Sequence, residues 1–175
     1  MNIIKFEGEN KFLVQHLQRL YDQRVKATNF FDGNGIIFTV KDQNNKLNIN
    51  NNYLSISYQY PLNFDEIFTK IQSYLFQYNF KFNDLLFYPF SNTIKKEKKF
   101  LKLNFIHNTI LSLILFHGGS VNKEYLYKVI WPGDFEISIN KLDTHFTNLK
   151  ELVKSKFGIN LNLKSNQGCV SLVID

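Results

Sequence analysis

The chain has 175 residues, of which 44% are hydrophobic, with 21 basic and 15 acidic side chains. This composition allows one or two small domains with buried cores and excludes collagen, low-complexity disorder and a disulfide-stapled miniprotein. The longest apolar run, residues 110–116, is far shorter than the roughly 18 residues of a membrane span, and the amino terminus does not resemble a signal peptide. The single cysteine, Cys169, cannot form an internal disulfide, so we expect a cytoplasmic protein without a membrane partner.

The positive charge is concentrated in the second half of the chain. Residues 1–78 carry 8 basic and 7 acidic side chains, whereas residues 79–175 carry 13 and 8. Only two of the 21 basic residues are arginine, and the abundance of Lys, Asn, Ile and Phe suggests a codon bias toward A and T. We therefore expect a polyanionic partner, if there is one, to bind the C-terminal half.

The first forty residues predict a strand, a helix and a second strand. Residues 2–6 have the apolar character of a short buried strand, and Asn10 can cap the helix that follows. The apolar positions of this helix recur at helical spacing, at Leu13, Leu17, Leu20 and Tyr21. After the turn-rich sequence FFDGNG, the run IIFTV predicts a strand at 36–40.

The sequence then becomes polar before a second helix. Residues 42–52 are rich in asparagine and predict a loop and hairpin, and LSISY predicts a strand at 54–58. Asn63 and Glu66 resemble a capping box at the start of a helix over 64–77. Its apolar stripe consists of Ile67, Ile71 and Leu75.

The second half predicts a small antiparallel sheet, three helices and a terminal hairpin. The runs LLFY and FLKL, at 85–88 and 100–103, flank the charged turn KKEKK. Each of the three helices ends at glycine or proline, and we expect them over 105–116, 122–130 and 138–156. The runs INLNLK and CVSLVI alternate around SNQG, which predicts a hairpin with a polar tip.

Three segments carry a resemblance to a known family. They are YPLNFDEIFTKIQSYL at 60–75, VNKEYLYKVIW at 121–131 and KLDTHFTNLKELV at 141–153. In this order they resemble the last receiver helix, the second winged-helix helix with its tryptophan (Trp131), and the recognition helix of an OmpR/PhoB-type response regulator. The resemblance covers about residues 61–175.

The resemblance implies a DNA-binding transcription regulator with two domains. It implies an α/β, shortened receiver-like domain over 1–78 and an α+β winged helix-turn-helix domain over 79–175. The expected partner is double-stranded DNA, with no enzyme activity, cofactor or metal. A single recognition helix buries too little DNA surface for tight specific binding, so we also expect a homodimer. The helix at 64–77 is the candidate dimer surface, through Phe68, Ile71 and Leu75.

The long C-terminal helix is amphipathic. Its apolar positions fall on one face, at Ile139, Leu142, Phe146, Leu149 and Val153. The opposite, polar face can lie in a major groove, where asparagine contacts adenine and the threonine methyl group meets thymine, or it can be an ordinary solvated face. The candidate DNA-binding residues are Lys141, Thr144, His145, Thr147, Asn148 and Lys150 of this helix and Lys164 of the hairpin.

The recognition segment departs from the family pattern. The resemblance implies arginine where the chain has Thr147, Asn148 and Lys150. Without the planar guanidinium groups of these arginines, both phosphate binding and guanine recognition are weaker. In addition, Glu151 would repel a backbone phosphate. A second function therefore stays open: a winged-helix protein–protein interaction module that has lost DNA binding.

The N-terminal half departs further. A phosphoacceptor receiver holds Mg²⁺ with clustered carboxylates beside an aspartate. Here Glu7 and Glu9 follow the first strand but are separated by Gly8, and Tyr60 stands where the family has lysine. Asp42 is the one candidate acceptor in the middle of the half. We expect no regulation by aspartate phosphorylation.

Other functional side chains are sparse. The four histidines show no metal-ligand spacing with Cys169, and no nucleophile is paired with a base. We expect His145, at the flank of its helix, to contact backbone or phosphate. The loop at 131–136, which begins with Trp131 and ends with Glu136, resembles the segment through which family members contact RNA polymerase.

Overall fold

The computed structural model describes residues 4–25 and 35–173, which form a mixture of α-helices and β-strands. The chain divides into two compact units, one within Met1–Tyr74 and the other within Leu75–Asp175. A predicted turn, the FFDGNG sequence, falls largely outside the described residues.

The N-terminal unit combines a four-stranded sheet with two helices. The strands are β1 (Ile4–Gly8), β2 (Ile36–Gln43), β3 (Lys46–Asn50) and β4 (Ser55–Gln59). The helices are α1 (Lys11–Val25) and α2 (Phe64–Gln77), and α2 crosses the boundary between the units. The strand order is β1-β2-β3-β4: β1 and β2 are parallel, whereas β3 and β4 return antiparallel. Only the first pair has the parallel arrangement on which receiver sheets are built.

The segment 42–52, expected to form a loop and hairpin, consists largely of a regular hairpin. Strand β2 continues to Gln43, and a two-residue turn at Asn44 and Asn45 leads into β3. Both turn residues have positive φ, which asparagine tolerates better than most residues. Leu47 and Ile49 of β3 are fully buried, so two apolar residues at period 2 override the asparagine-rich composition.

One face of this sheet carries the core of the unit. Aromatic contacts join both helices to the same face: Phe6 of β1 meets Tyr21 of α1, and Phe38 of β2 meets Tyr74 of α2. Each such pair contributes about 0.5–1.5 kcal/mol beyond the burial of its apolar area. The alternate positions of β2 are exposed, so no helix among the described residues covers the other side of this strand.

The stripe expected to form a dimer surface lies in the core. Phe68, Ile71 and Leu75 are each at most 4% exposed. An amphipathic helix hides its apolar stripe either against a partner or against its own chain, and here it packs within the chain. The prediction that these three residues form a dimer interface is therefore wrong.

The C-terminal unit begins with an antiparallel meander. Its strands are β5 (Phe80–Phe82), β6 (Leu85–Tyr88), β7 (Thr93–Lys96) and β8 (Lys99–Lys102). Helices α3 (Phe105–Phe116), α4 (Lys123–Ile130) and α5 (Ile139–Phe157) follow. A second sheet, of order β10-β11-β9, consists of β9 (Ser120–Asn122), β10 (Leu163–Asn166) and β11 (Cys169–Leu172).

Local capping explains where these helices begin and end. The side chain of Asn104 accepts a hydrogen bond from the His107 backbone N–H, and that of Asn122 accepts one from Tyr125. Helix α5 ends at Gly158, whose φ of 72° suits glycine. Within residues 4–25 and 35–173, no helix combines the length and the apolar character needed to cross a membrane.

Candidate nucleic-acid interface

Helix α5 separates an apolar face from a polar one. Leu142, Phe146, Leu149 and Val153 are buried, and the helix contacts α3, α4 and β8. The other side is open to solvent, with exposed side chains at Asn140, Lys141, Thr144, Thr147, Asn148 and Glu151. Lys150 is half-buried at the margin of this polar face. The expected polar face of α5 is thus exposed.

The hydroxyl groups of the two threonines on the polar face are bonded to the helix backbone. The hydroxyl of Thr144 donates to the carbonyl oxygen of Asn140 at 2.9 Å, and that of Thr147 donates to Asp143 at 3.1 Å. The methyl group of an exposed threonine can contact the methyl group of thymine. The exposed amide of Asn148 makes no hydrogen bond within the described part of the chain, so its donor and acceptor are available to a base edge.

Lys141 is held by the loop between α4 and α5. Its Nζ lies 3.0 Å from a carboxylate oxygen of Asp134 and 4.1 Å from the ring centroid of Trp131. The hydroxyl of Tyr127 donates to the same carboxylate at 2.6 Å. These hydrogen bonds, first from Tyr127 and then from Lys141, lower the pKa of Asp134. Lys141 is therefore ordered, but its charge is partly compensated.

His145 packs against aromatic rings instead of projecting freely. Its ring centroid lies 5.5 Å from that of Trp131 and 5.7 Å from that of His107. Burial, followed by the charge of Lys141, lowers the pKa of His145. The imidazole is accordingly neutral at pH 7, and a contact with phosphate would not involve a charged ring.

A second ion pair ties α5 to α4. Nζ of Lys123 lies 2.6 Å from a carboxylate oxygen of Asp143 and 5.7 Å from the ring centroid of Phe146. Lys123 is almost completely buried, so the pair fixes the start of α4 against α5 and compensates an acidic charge beside the polar face. No local sequence pattern predicts this pair, because the two residues are twenty positions apart in the chain.

The terminal hairpin supplies further exposed polar groups. Strands β10 and β11 pair Asn166 with Cys169, so the turn contains only Gln167 and Gly168, both with positive φ. The Gly168 carbonyl accepts a hydrogen bond of 2.8 Å from the Lys123 backbone N–H, which fixes the hairpin to the start of α4. Lys164 and the hairpin tip are exposed. A cavity of about 340 Å³ lies among the hairpin and the first residues of α4 and α5.

The loop before α5 exposes apolar side chains. Phe135 is fully exposed, and Ile137 is 38% exposed. Trp131, at the other end of the loop, is half-buried between Tyr127, Lys141 and His145. An exposed phenylalanine is the kind of side chain that a protein partner buries. The sequence signal for its exposure was its place between Asp134 and Glu136 in a loop that contains proline and glycine.

Asp42, the one candidate phosphoacceptor, lies near the end of β2. Its carboxylate accepts a hydrogen bond of 3.2 Å from the Asn10 side chain. It lines a cavity of about 370 Å³ at the carboxyl ends of the parallel strands β1 and β2, together with Gly8 and Glu9. Among the described residues, no group of three or more His, Cys, Asp or Glu side chains is arranged to hold a metal ion.

Comparison with known proteins adds no family assignment. No protein-family model matches the chain, and no curated protein matches it significantly.

Proposed function

We propose that the chain is a DNA-binding transcription regulator of the OmpR/PhoB response-regulator type. In this proposal, residues 79–175 form the winged helix-turn-helix domain, and residues 1–78 form a shortened receiver-like domain that is not controlled by aspartate phosphorylation. The observation that carries the proposal is the exposed polar face of α5, next to a short, exposed hairpin. A cytoplasmic location goes with this function.

In the proposed mechanism, α5 enters the major groove and the β10–β11 hairpin contacts the sugar-phosphate backbone or the minor groove. Asn148 would contact an adenine, and the methyl groups of Thr144 and Thr147 would contact thymine. Lys150 and Lys164 would bind phosphates. These contacts favour A·T-rich sites, because the polar face offers no arginine fork for guanine.

Binding should be weaker than is usual for such a helix. Lys141 would have to leave Asp134 and Trp131 to reach a phosphate, and the exposed carboxylate of Glu151 repels one. Two copies on DNA would offset this weakness, so a homodimer remains part of the proposal. Its surface must be formed by residues other than the buried Phe68, Ile71 and Leu75.

A second candidate is a protein–protein interaction module that has kept the fold without binding DNA. The fully exposed Phe135 favours it, together with the compensated charge of Lys141. The same loop, residues 131–136, is the proposed contact with RNA polymerase if the chain does act on DNA. The two candidates differ in one respect: only the first requires affinity for a duplex.

The test is a salt titration with a random-sequence duplex of about two helical turns. We expect the wild-type protein to bind at about 50 mM salt, and Lys150→Ala with Lys164→Ala to weaken binding for every sequence. Each lost phosphate contact should lower the slope of log K against log salt by roughly 0.9. The measurement is the fluorescence anisotropy of the labelled duplex.

The matched control removes the same charge from the other unit, through Lys11→Ala and Lys70→Ala, both exposed on helices. This control should keep the wild-type slope. Absence of wild-type binding at low salt, or an equal loss in the control, would contradict the DNA-binding proposal and favour the protein-interaction module.

A further inference from the structure

The meander β5–β8 has two unlike faces. Along its strands, Phe82, Leu85, Phe87 and Ile94 point to one side and are almost completely buried. The ring of Phe80, on the same side, lies 4.8 Å from that of Phe116 in α3, so the helices cover this face. The side chains between them point the opposite way, because successive residues of a strand alternate.

These alternate residues form what we call the outer sheet face. Strand register places Lys81, Leu86, Lys95 and Phe100 in one row across all four strands, and Tyr88 and Lys102 in the next row. The three lysines are exposed, and the Phe100 ring is 64% exposed. The outer sheet face is therefore a flat surface on which cationic and aromatic side chains are neighbours.

The outer sheet face carries no carboxylate. The two nearby acids, Asp84 and Glu97, lie in the turns, and within the described residues no lysine of this face forms an ion pair. Lys96 and Lys99, at the end of the β7–β8 hairpin, alternate to the other side of the meander and are not part of the outer sheet face.

We propose that the outer sheet face binds single-stranded nucleic acid, with a base stacked on Phe100 and the backbone phosphates at Lys81, Lys95 and Lys102. Stacking on an exposed ring between basic side chains is the general way in which sheets bind single strands without sequence preference. Lys95 also lies 5.0 Å from the Tyr88 ring centroid, which keeps its charge above the face.

The exposed ring favours a single strand over a duplex. In a duplex the bases are already stacked on each other, so Phe100 would gain nothing from them, whereas the bases of a single strand are free to stack. A purely electrostatic surface would need only the lysines. The helices lie behind the inner face, so this binding surface is separate from the polar face of α5 and does not depend on the function proposed for it.

The experiment is an anisotropy titration of labelled oligodeoxythymidine, about 15 nucleotides long, with the full chain at low salt. We expect Phe100→Ala to weaken binding by about fivefold or more and Phe100→Tyr to retain it, because tyrosine keeps the stacking surface. Lys95→Ala with Lys102→Ala should also lower the salt slope, by roughly 0.7 for each lost phosphate contact with a single strand. An oligouridine of the same length should behave in the same way.

Phe105→Ala is the matched control, because Phe105 is 65% exposed but lies at the start of α3. It should bind oligodeoxythymidine like the wild type. Lys150→Ala with Lys164→Ala should also leave this binding unchanged. Phe100→Ala should leave duplex binding unchanged, so the experiment tests the single-strand proposal and the duplex proposal independently.

Three results would overturn the proposal. One is wild-type protein that does not bind the oligonucleotide, and another is equal affinity of Phe100→Ala and wild type. The third is Phe100-dependent binding to vesicles containing anionic lipid without any binding to oligonucleotides, which would assign the outer sheet face to a membrane surface.

Discussion

His107 is a buried residue whose polar groups are not satisfied. It is 3% exposed, and neither ring nitrogen has a hydrogen-bond partner among the described residues. Burial, and secondarily His145, lower the pKa of His107. Lys141, which forms an ion pair with Asp134, also disfavours protonation of His145. The native state therefore holds two neutral imidazoles side by side.

This pair predicts a loss of stability in acid. Because the folded-state pKa values are lowered, the unfolded chain binds more protons, so stability is complete above pH about 6.5 and falls as the pH drops below it. We expect His107→Leu to make the free energy of unfolding less dependent on pH between about 7.5 and 5.5. Urea denaturation followed by circular dichroism measures this, and an unchanged pH dependence in the variant would refute it.

Single contacts were the least predictable part of the candidate site. The sequence correctly placed Lys141, Thr144, Thr147 and Asn148 on one helix face, because helical spacing alone determines which residues share a face. It could not predict that Lys141 would be held by Asp134 and Trp131, since this depends on the path of an irregular loop.

At the scale of elements, the helices were predicted to within a residue or two. Helices α2 to α5 combine helical periodicity with caps such as Asn122 and Gly158, and both signals are local. The bounds of strand β3, within the segment expected as a loop and hairpin, were not predicted because its two apolar residues are scattered among asparagines. Strand β9 was missed because three residues are too few to show a pattern. Whether a short segment forms a strand depends on the strand with which it pairs, and the local sequence does not reveal that partner.

The end of α5 gives a prediction about stability. Gly158 has φ of 72°, and a methyl group there meets no neighbour, so the cost of Gly158→Ala is backbone strain alone. We expect the free energy of unfolding to fall by about 1 kcal/mol. Gly133→Ala is the control, because that position has equal space and no left-handed backbone. Denaturant titrations that show equal stabilities for the two variants would disprove the strain argument.

The polar face of α5 gives a prediction about DNA affinity. Introducing the arginines that the OmpR/PhoB resemblance implies, by Thr147→Arg and Asn148→Arg, should tighten duplex binding and raise the salt slope by up to roughly 1.8, if both side chains reach phosphates. Both positions are exposed, so folding should be unaffected. The slope is measured by anisotropy with the random duplex.

A control for this gain is Thr69→Arg on α2, where the hydroxyl also bonds to the carbonyl four residues earlier. An equal gain from this control would mean that added charge alone, and not its place on α5, increases affinity.

At the scale of the whole molecule, the sequence predicted the order of elements better than their pairing. The terminal hairpin and the meander follow from alternating runs that are close in the chain. In the N-terminal unit, the mixed sheet could not be predicted, because the antiparallel return of β3 depends on the Asn44–Asn45 turn. The stripe of α2 was ambiguous for a different reason: periodicity shows that a face is buried but not what buries it.

The division into two units predicts that damage to one unit stays local. A methyl group on Gly8 would lie 2.2 Å from the carbonyl oxygen of Val40, so Gly8→Ala forces β1 away from β2. We expect faster amide hydrogen exchange throughout β1–β4 and little change in β5–β11, because the chain divides into two compact units. Mass spectrometry of peptides after exchange measures this. A uniform increase along the chain would show that the two units unfold together.

Trp131 lies beside the proposed duplex-binding surface, so its intrinsic fluorescence can report binding there. It is the single tryptophan of the chain, and it touches both Lys141 and His145 of α5. Any ligand that draws Lys141 away from the indole alters the polarity around the fluorophore. Ligands on the outer sheet face leave that contact alone, so the intrinsic emission spectrum can tell the two kinds of docking apart without a label.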